Sequence, residues 1–170
     1  FLTEDRKGQG LVLAQSIRTN LILANMKGFS TGLFLNEKKI EDVGQNNIAS
    51  LRIKTPSIDE IVGQLSGGNQ QKVVIGKWVN TDAEIFIFDE PTIGLHPLDV
   101  QTLMKVFQTL VDQGATVLVI EHDLDVMRNA DYIIDMGPGA GEAGGRIVAS
   151  GTPEEIAANP DSVTGKYLGG

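Results

Sequence analysis

Two adjacent acidic residues follow an apolar run near the middle of the chain. Residues 84–88 read Glu-Ile-Phe-Ile-Phe, and Asp89, Glu90 and Pro91 come directly after them. An unbroken apolar run of this length is typical of a strand covered on both faces. Because two carboxylates there are costly without a cation or proton partner, the pattern indicates phosphoryl-transfer chemistry, with Asp89 holding Mg²⁺ and Glu90 polarising the attacking water. An acidic turn tightened by Pro91 is the alternative interpretation.

A second candidate site is the octet from Leu65 to Lys72, which reads Leu-Ser-Gly-Gly-Asn-Gln-Gln-Lys. Ser66 can cap a following helix, and Gly67 and Gly68 let backbone N–H groups approach an anion closely, where the helix dipole helps. The pattern is therefore compatible with a phosphate-binding helix start. A glycine turn between two helices remains the alternative for the two glycines alone.

The elements that must position these residues fall into two parts. The first part is predicted to be mostly helical, with a capping box at Ser57 and a buried helix through Val79. Its predicted helices are residues 16–27, 37–53, 57–62 and 73–79. The second part alternates strands with helices, which predicts a parallel α/β sheet. Its predicted strands are residues 84–88, 116–120, 132–136 and 146–149, and its predicted helices are residues 97–113, 123–129 and one capped at Thr152.

Residues 1–80 and 81–170 are accordingly expected to form two parts of one compact unit, with the last ten residues loosely held. The polar residues that follow the first two strands lie at the carboxyl edge of the sheet, where ligands bind in open α/β folds. The candidate site is therefore expected at that edge.

Composition excludes several functions. The 170 residues include no cysteine, so disulfides, thiolate zinc sites and cysteine nucleophiles are impossible. The net charge of −8 disfavours binding to nucleic acid or to anionic membranes by this chain. No apolar run is long enough to span a membrane, and Phe1–Arg6 is no signal peptide, so a cytoplasmic location, or membrane association through a partner, is expected.

The octet resembles the signature motif of ABC ATPases. This resemblance implies a partial P-loop NTPase fold, with a helical subdomain and a parallel sheet with flanking helices, and it implies Mg²⁺ and ATP as ligands. Within it, Asp89 and Glu90 occupy the Walker B positions, as metal ligand and catalytic residue. The nucleotide-binding residues that the resemblance implies are Ser66, Gly67, Gly68 and Gln70.

Three further positions follow from the same resemblance. Asp99 ends a D-loop-like stretch, His122 follows a strand as the switch histidine of the family does, and Glu4 is the candidate for the Q-loop position. A lone histidine after a strand is often structural, and residues 4–7 also fit a solvated charge run. His96 is interpreted as a turn residue before Pro97.

Two branches of the family are represented. Residues 1 to about 92, including Lys54-Thr55-Pro56-Ser57, resemble the second cassette of bacterial sugar ABC importers. Residues from about 94, including the stretch Ile120–Val126 and the stretch Gly144–Pro153, resemble the C-terminal end of the excinuclease A subunit of nucleotide-excision repair. A chimera of two related fragments, natural or engineered and without a function of its own, is one interpretation. A single diverged protein is the other.

A Walker A motif is not found in the sequence. It requires Gly, four residues, then Gly-Lys and Ser or Thr, whereas Gly76-Lys77 precedes Trp78 and Gly165-Lys166 precedes Tyr167. Losing about four charge-assisted bonds removes roughly 6–12 kcal/mol, against about 8 kcal/mol for a micromolar ligand. We therefore expect an ABC ATPase fragment that is inactive alone and needs a partner half with a P-loop.

Other interactions follow from the same reasoning. A sheet edge left exposed is expected to favour self-association. The region 16–62 could instead dock a membrane permease, as the importer resemblance implies. A DNA-repair ATPase is disfavoured by the charge and by the lack of cysteines for a zinc module.

Overall fold

The computed structural model describes residues 10–137 and 145–169, and the chain divides into two compact units, Phe1–Ile120 and Glu121–Gly170. The division predicted at residue 80 falls inside the first of these units. Glu4 lies outside the described residues, as do residues 138–144 of the glycine-rich stretch. Within the described part, no helix combines the length and the apolar character needed to cross a membrane.

The first unit contains four helices and four strands in its described residues. Its helices are α1 (Ile17–Ile22), α2 (Glu37–Ser50), α3 (Gly67–Val79) and α4 (Pro97–Asp112). Its strands are β1 (Ser30–Thr31), β2 (Phe34–Leu35), β3 (Ile85–Asp89) and β4 (Thr116–Ile120). β1 and β2 form an antiparallel hairpin, and β3 and β4 form a parallel pair in which Asp89 lies opposite Ile120.

The β3–β4 pair has one covered face and one bare face. Phe86 and Phe88 are buried in the main core, where the Phe88 ring lies 4.7 Å from that of Phe107 on α4. On the other face Ile85, Leu118 and Ile120 are 64%, 48% and 46% exposed. The prediction of strands at 84–88 and 116–120 is confirmed, but β3 is covered on one face only within the described residues.

Helix α3 is the buried helix that the sequence predicted. All residues from Asn69 to Lys77 are buried. At Gly76 a Cβ atom would lie 2.7 Å from Asn47 Oδ1 and 3.0 Å from a methyl carbon of Leu21, so only glycine lets α1 and α2 pack this closely against α3.

Two predicted helices of the first unit differ in the structure. The helix predicted at 16–27 ends at Ile22, and a 3₁₀ turn follows at Met26–Phe29, where the Asn25 side chain accepts from Gly28 N. The capping-box helix predicted at Ser57 does not form, and only a 3₁₀ turn at Val62–Gln64 follows. The carbonyls of Ile58 and Glu60 accept instead from Arg18 N and Ile17 N, so they satisfy the free N-terminal amides of α1.

The second unit contains a hairpin and three short helices in its described residues. They are α5 (Leu124–Arg128), β5 (Ile133–Met136), β6 (Ile147–Gly151), α6 (Pro153–Ala158) and α7 (Val163–Leu168). The predicted caps are confirmed: Asp123 caps α5, and Thr152 and Glu155 form a reciprocal capping box on α6.

The prediction that residues 132–136 add a third parallel strand is wrong. β5 pairs antiparallel with β6, and Ile133 lies opposite Gly151. Parallel pairing of β5 with β6 would need a crossover of about a dozen residues or more. Only residues 137–146 connect these two strands, and this shorter connection favours a hairpin.

The C-terminal residues are not loosely held. Ser162 is fully buried, and its Oγ donates to Asp135 Oδ2 at 2.5 Å. Ser162 Oγ also accepts from Gly165 N at 2.8 Å. Thr164 Oγ1 donates to the other oxygen of Asp135 at 2.7 Å. Leu168 then packs with Ala149 and Ile156 in a small core. The buried carboxylate of Asp135 therefore fixes the start of α7.

We expect Asp135→Asn to lower the free energy of unfolding by about 2 kcal/mol, because an amide nitrogen cannot accept from one of the two hydroxyls. Urea denaturation and hydrogen exchange of the Gly165 amide measure the loss, and Asp131→Asn at an exposed position serves as the matched control. Equal stabilities of the two variants would contradict the assigned role of Asp135.

Candidate functional site

The N-terminus of α3 opens onto a cleft of ≈ 390 Å³. Its lining residues are Lys54, Ser66, Gly67, Gly68, Asn69, Lys72, Gly94, His96 and Asp99. Three of the four predicted nucleotide-binding residues therefore line one cleft, together with the predicted D-loop residue Asp99. The first backbone amides of a helix and its dipole favour an anion at such a place.

Ser66 stands at the N-cap position of α3 but makes no capping bond with its side chain. Its Oγ instead accepts from Asn69 Nδ2 at 3.1 Å, while Asn69 Oδ1 accepts from Lys54 N at 3.0 Å. The predicted capping bond is therefore not made. Asn69 holds the loop carrying Lys54 against the helix start, and the exposed lysine lies at the cleft.

Gly68 has a packing role that the sequence did not reveal. A Cβ atom at this position would lie 2.8 Å from the carbonyl oxygen of Gly94, so the absence of a side chain lets the loop before α4 lie against α3. The glycine therefore serves close backbone packing in addition to the anion approach inferred from the sequence.

Gln70 does not line the cleft. It is buried, and its Nε2 donates to the carbonyls of Val62 and Leu65 at 3.2 and 3.1 Å. Its Oε1 is the buried side-chain oxygen that lacks a hydrogen-bond partner among the described residues. These contacts make Gln70 a brace for the turn that precedes α3.

The acidic pair lies at the carboxyl end of β3, as predicted. Asp89 ends the strand and is partly buried, and Glu90 N donates to Ile120 O at 2.9 Å, which continues the parallel ladder by one residue. Glu90 has a φ of 45°, a left-handed conformation that costs a residue with a side chain about 1 kcal/mol or more. Backbone strain of this kind is typical of residues at functional sites.

The structure is compatible with magnesium at Asp89 only if other oxygens complete its shell. Among the described residues no three His, Cys, Asp or Glu side chains gather into a metal site. Mg²⁺ is commonly bound by one or two carboxylates together with substrate phosphates and water, and Asp89 with Glu90 beside it fits that pattern.

Asp99 lies in the first turn of α4 and pairs with Lys72 of α3. Lys72 Nζ is 2.7 Å from Asp99 Oδ1 and donates to Arg52 O at 3.0 Å, and its side chain is only 5% exposed. His96 is the N-cap of α4, where its Nδ1 accepts from Leu98 N at 3.2 Å. The interpretation of His96 as a turn residue is therefore confirmed.

His122 belongs to the second unit and is exposed there. Its backbone N–H and that of Asp123 both donate to Glu121 Oε2, at 2.9 and 3.2 Å. The carboxylate of Glu121 thus shapes the turn that carries the imidazole.

Sequence reasoning missed the roles of Lys54, Asn69 and Lys72. Asn69 and Lys72 lie within the octet, whereas Lys54 lies well before it, and the contacts of all three join stretches that are distant in sequence. Lys77, which does not fit a phosphate loop in sequence, lies in the last turn of α3, where its Nζ donates to Gly10 O at 3.0 Å and burial lowers its pKa.

Comparisons with known proteins agree with this geometry. The family model described as "ABC transporter" matches residues 7–93, just over half of the chain. UvrABC system protein A of Clostridium acetobutylicum is 41% identical over 152 residues, 88% of this chain and 16% of that protein. The crystal structure of UvrA2 from Deinococcus radiodurans aligns with a TM-score of 0.68 at 34% identity, over 92% of this chain and 18% of that one.

A transporter-type cassette is also similar. The dimeric ATP-binding cassette MJ0796, in a post-hydrolysis state bound to ADP and Pi, aligns with a TM-score of 0.63 at 25% identity, over 73% of this chain and 53% of that one. This chain thus spans only part of every protein named here. The matched region of the family model contains α3, β3 and most residues that line the cleft, and the chain therefore belongs to the ABC transporter family, with the fold of its ATPase domains.

Proposed function

We propose that this chain is the signature and Walker B part of an ABC-type ATPase of the UvrA kind, a DNA-repair ATPase. The observation that carries the proposal is the start of α3, which has no side-chain cap and opens onto a cleft with Lys54 beside it. In the proposed complex the first amides of α3, the Ser66 hydroxyl and Lys54 bind the terminal phosphate of ATP.

The proposed roles of the remaining residues follow from the family. Asp89 holds Mg²⁺ through water, and the metal supplies charge neutralisation on the phosphates when bound. By the family resemblance, Glu90 orients and polarises the attacking water, His122 is the switch histidine, and Glu4 occupies the Q-loop position. Gln70 contributes through the turn that it braces.

The phosphate loop is proposed to come from another polypeptide segment. No stretch of the 170 residues matches the Walker A pattern. The MJ0796 cassette, of which this chain covers 53%, is dimeric with ADP and Pi bound. The exposed apolar face of β3 and β4 is a candidate surface for packing of a partner half that carries the phosphate loop. Self-association of the chain through the same face is the alternative.

The UvrA relatives favour a DNA-repair ATPase over a transporter ATPase. A charge of −8 argues against DNA binding by these residues alone. However, the chain covers only 16% and 18% of the two UvrA relatives, so this charge says little about a longer protein, and the expectation that nucleic acid is an unlikely partner has no support from the comparisons.

The interpretation of the chain as a chimera of two related fragments stays a prediction. One UvrA relative aligns with 88% of the chain and UvrA2 with 92%, which supports the alternative of a single diverged protein. A sugar-importer ancestry for residues 1–92 stays a prediction.

A second candidate function is docking of a membrane permease through the region 16–62. The tip of the β1–β2 hairpin exposes Leu33 and Phe34 at 99% and 79%, although Phe29 and Ile40 anchor its base in a small core. Exposed large apolar residues on an anchored turn are typical of protein contacts.

In a titration of the ¹⁵N-labelled chain with Mg²⁺-ATP, we expect weak, millimolar binding, because the phosphate loop's contacts are absent. Amide shifts should concentrate at Gly67, Gly68 and Asn69. Lys54→Ala should weaken the binding of Mg²⁺-ATP several-fold, whereas Lys105→Ala, at an exposed position of α4, should leave it unchanged.

A micromolar Kd by calorimetry would contradict the prediction that the chain alone binds Mg²⁺-ATP only weakly. Shifts that avoid the start of α3 would instead overturn the proposed phosphate position.

For the docking candidate, the double variant Leu33→Ser/Phe34→Ser should lose retention on immobilised cytoplasmic loops of an ABC permease, because the exposed apolar contacts are removed. Val163→Ser, which alters an exposed apolar residue of the second unit, is the control. Absence of retention for the unaltered chain, or equal retention of all three, would refute docking by the hairpin.

A further inference from the structure

We propose that Gln71 and Lys72 are positioning residues that couple the phosphate-binding start of α3 to the segment after Glu90. This segment, residues 91–99, runs from Pro91 to the first turn of α4 and is called the 91–99 segment. The proposal rests on the function proposed above and deepens it, because it names how one part of the site acts on another.

One face of α3 holds the 91–99 segment at three points. Gln71 Nε2 donates to Pro91 O at 3.3 Å, Gly68 packs against the carbonyl of Gly94, and Lys72 Nζ pairs with Asp99 Oδ1 at 2.7 Å. Positions i, i+3 and i+4 share one face of a helix. The contacts are spread along the segment, from its first residue to its last, so α3 constrains all of it.

The burial of the two side chains shows that these contacts are not surface pairs. Gln71 is 1% exposed, and the side chains of Lys72 and Asp99 are 5% and 26% exposed. A buried ammonium group requires acceptors, and Lys72 has two, Asp99 and the carbonyl of Arg52. Arg52 has a φ of 51°, so the chain adopts an unfavourable conformation where it presents that carbonyl.

The same segment determines where Glu90 can lie. Upstream, Glu90 N is fixed to β4 through Ile120 O, and downstream, Glu90 O accepts from Ile93 N at 3.2 Å. Leu95 N then donates to Thr92 O at 2.9 Å. Because Glu90 has a strained backbone, its geometry depends on the turn that follows it, and that turn is held by Gln71 and Lys72. A ligand that shifts the start of α3 therefore shifts the support of Glu90.

Hydrogen exchange tests this coupling without nucleotide. Lys72→Met should speed exchange of the Ile93 and Leu95 amides by about tenfold or more, relative to Phe107 and Leu110 in the interior of α4. Asp99→Asn should act in the same way, the double variant should add little to either change, and Lys72→Arg should restore protection. Lys105→Met is the control for loss of a lysine.

A nucleotide arm tests the functional consequence. In the Mg²⁺-ATP titration, shifts at Ile93 and Leu95 should accompany those at Gly67 and Gly68 in the unaltered chain and in Lys72→Arg. In Lys72→Met the shifts at Ile93 and Leu95 should vanish, whereas those at the glycines persist.

The two arms separate the possible failures. Absence of shifts at the glycines in the unaltered chain refutes the proposed function, and hydrogen exchange then decides the coupling alone. Equal acceleration at Ile93, Leu95, Phe107 and Leu110, or additive effects of the two single variants, refutes the positioning role. Coupled shifts that survive Lys72→Met refute it as well.

Discussion

The burial of the polar first half of α3 is the constraint on which the candidate site depends. Asn69, Gln70, Gln71 and Lys72 are all buried, and between them they bind three loops of the first unit. The large majority of buried polar groups in proteins have hydrogen-bond partners. The sequence of the octet therefore specifies both the helix and the loops that must come to it, namely those at 52–54, 62–65 and 91–99.

This constraint explains why the glycines cannot be regarded only as a phosphate cradle. Gly68 admits the backbone of Gly94, and Gly76 admits α1 and α2 farther along the same helix. A residue with a side chain at either position would push α3 away from these neighbours. The binding surface and the packing of the core are thus requirements on the same helix.

Local signals predicted the fold where no distant group competes for the backbone. The capping box at Thr152 forms as its spacing predicts, whereas the similar spacing at Ser57 does not produce a helix, because α1 takes the carbonyls of Ile58 and Glu60. The strands at 85–89 and 116–120 were predicted from apolar runs, but the pairing of β5 with β6 depends on a choice between partners that periodicity does not express. The octet likewise predicted the start of α3 but not the turn of Gln70 into the protein, because its partners Val62 and Leu65 are known only from the fold.

The electrostatics of the cleft follow from how its lysines are used. The chain carries a charge of −8, yet Lys54 is exposed and Lys72 is buried at the start of α3. Asp99 offsets the charge of Lys72, so the positive potential offered to an anion comes chiefly from Lys54 and the first amides of the helix. An exposed lysine is screened by salt, and helix amides act only at short range, so the attraction of the candidate cleft for an anion is confined to its immediate surroundings. The ion pair that holds Lys72 in the core therefore fixes the position of the 91–99 segment without adding a free positive charge to the cleft.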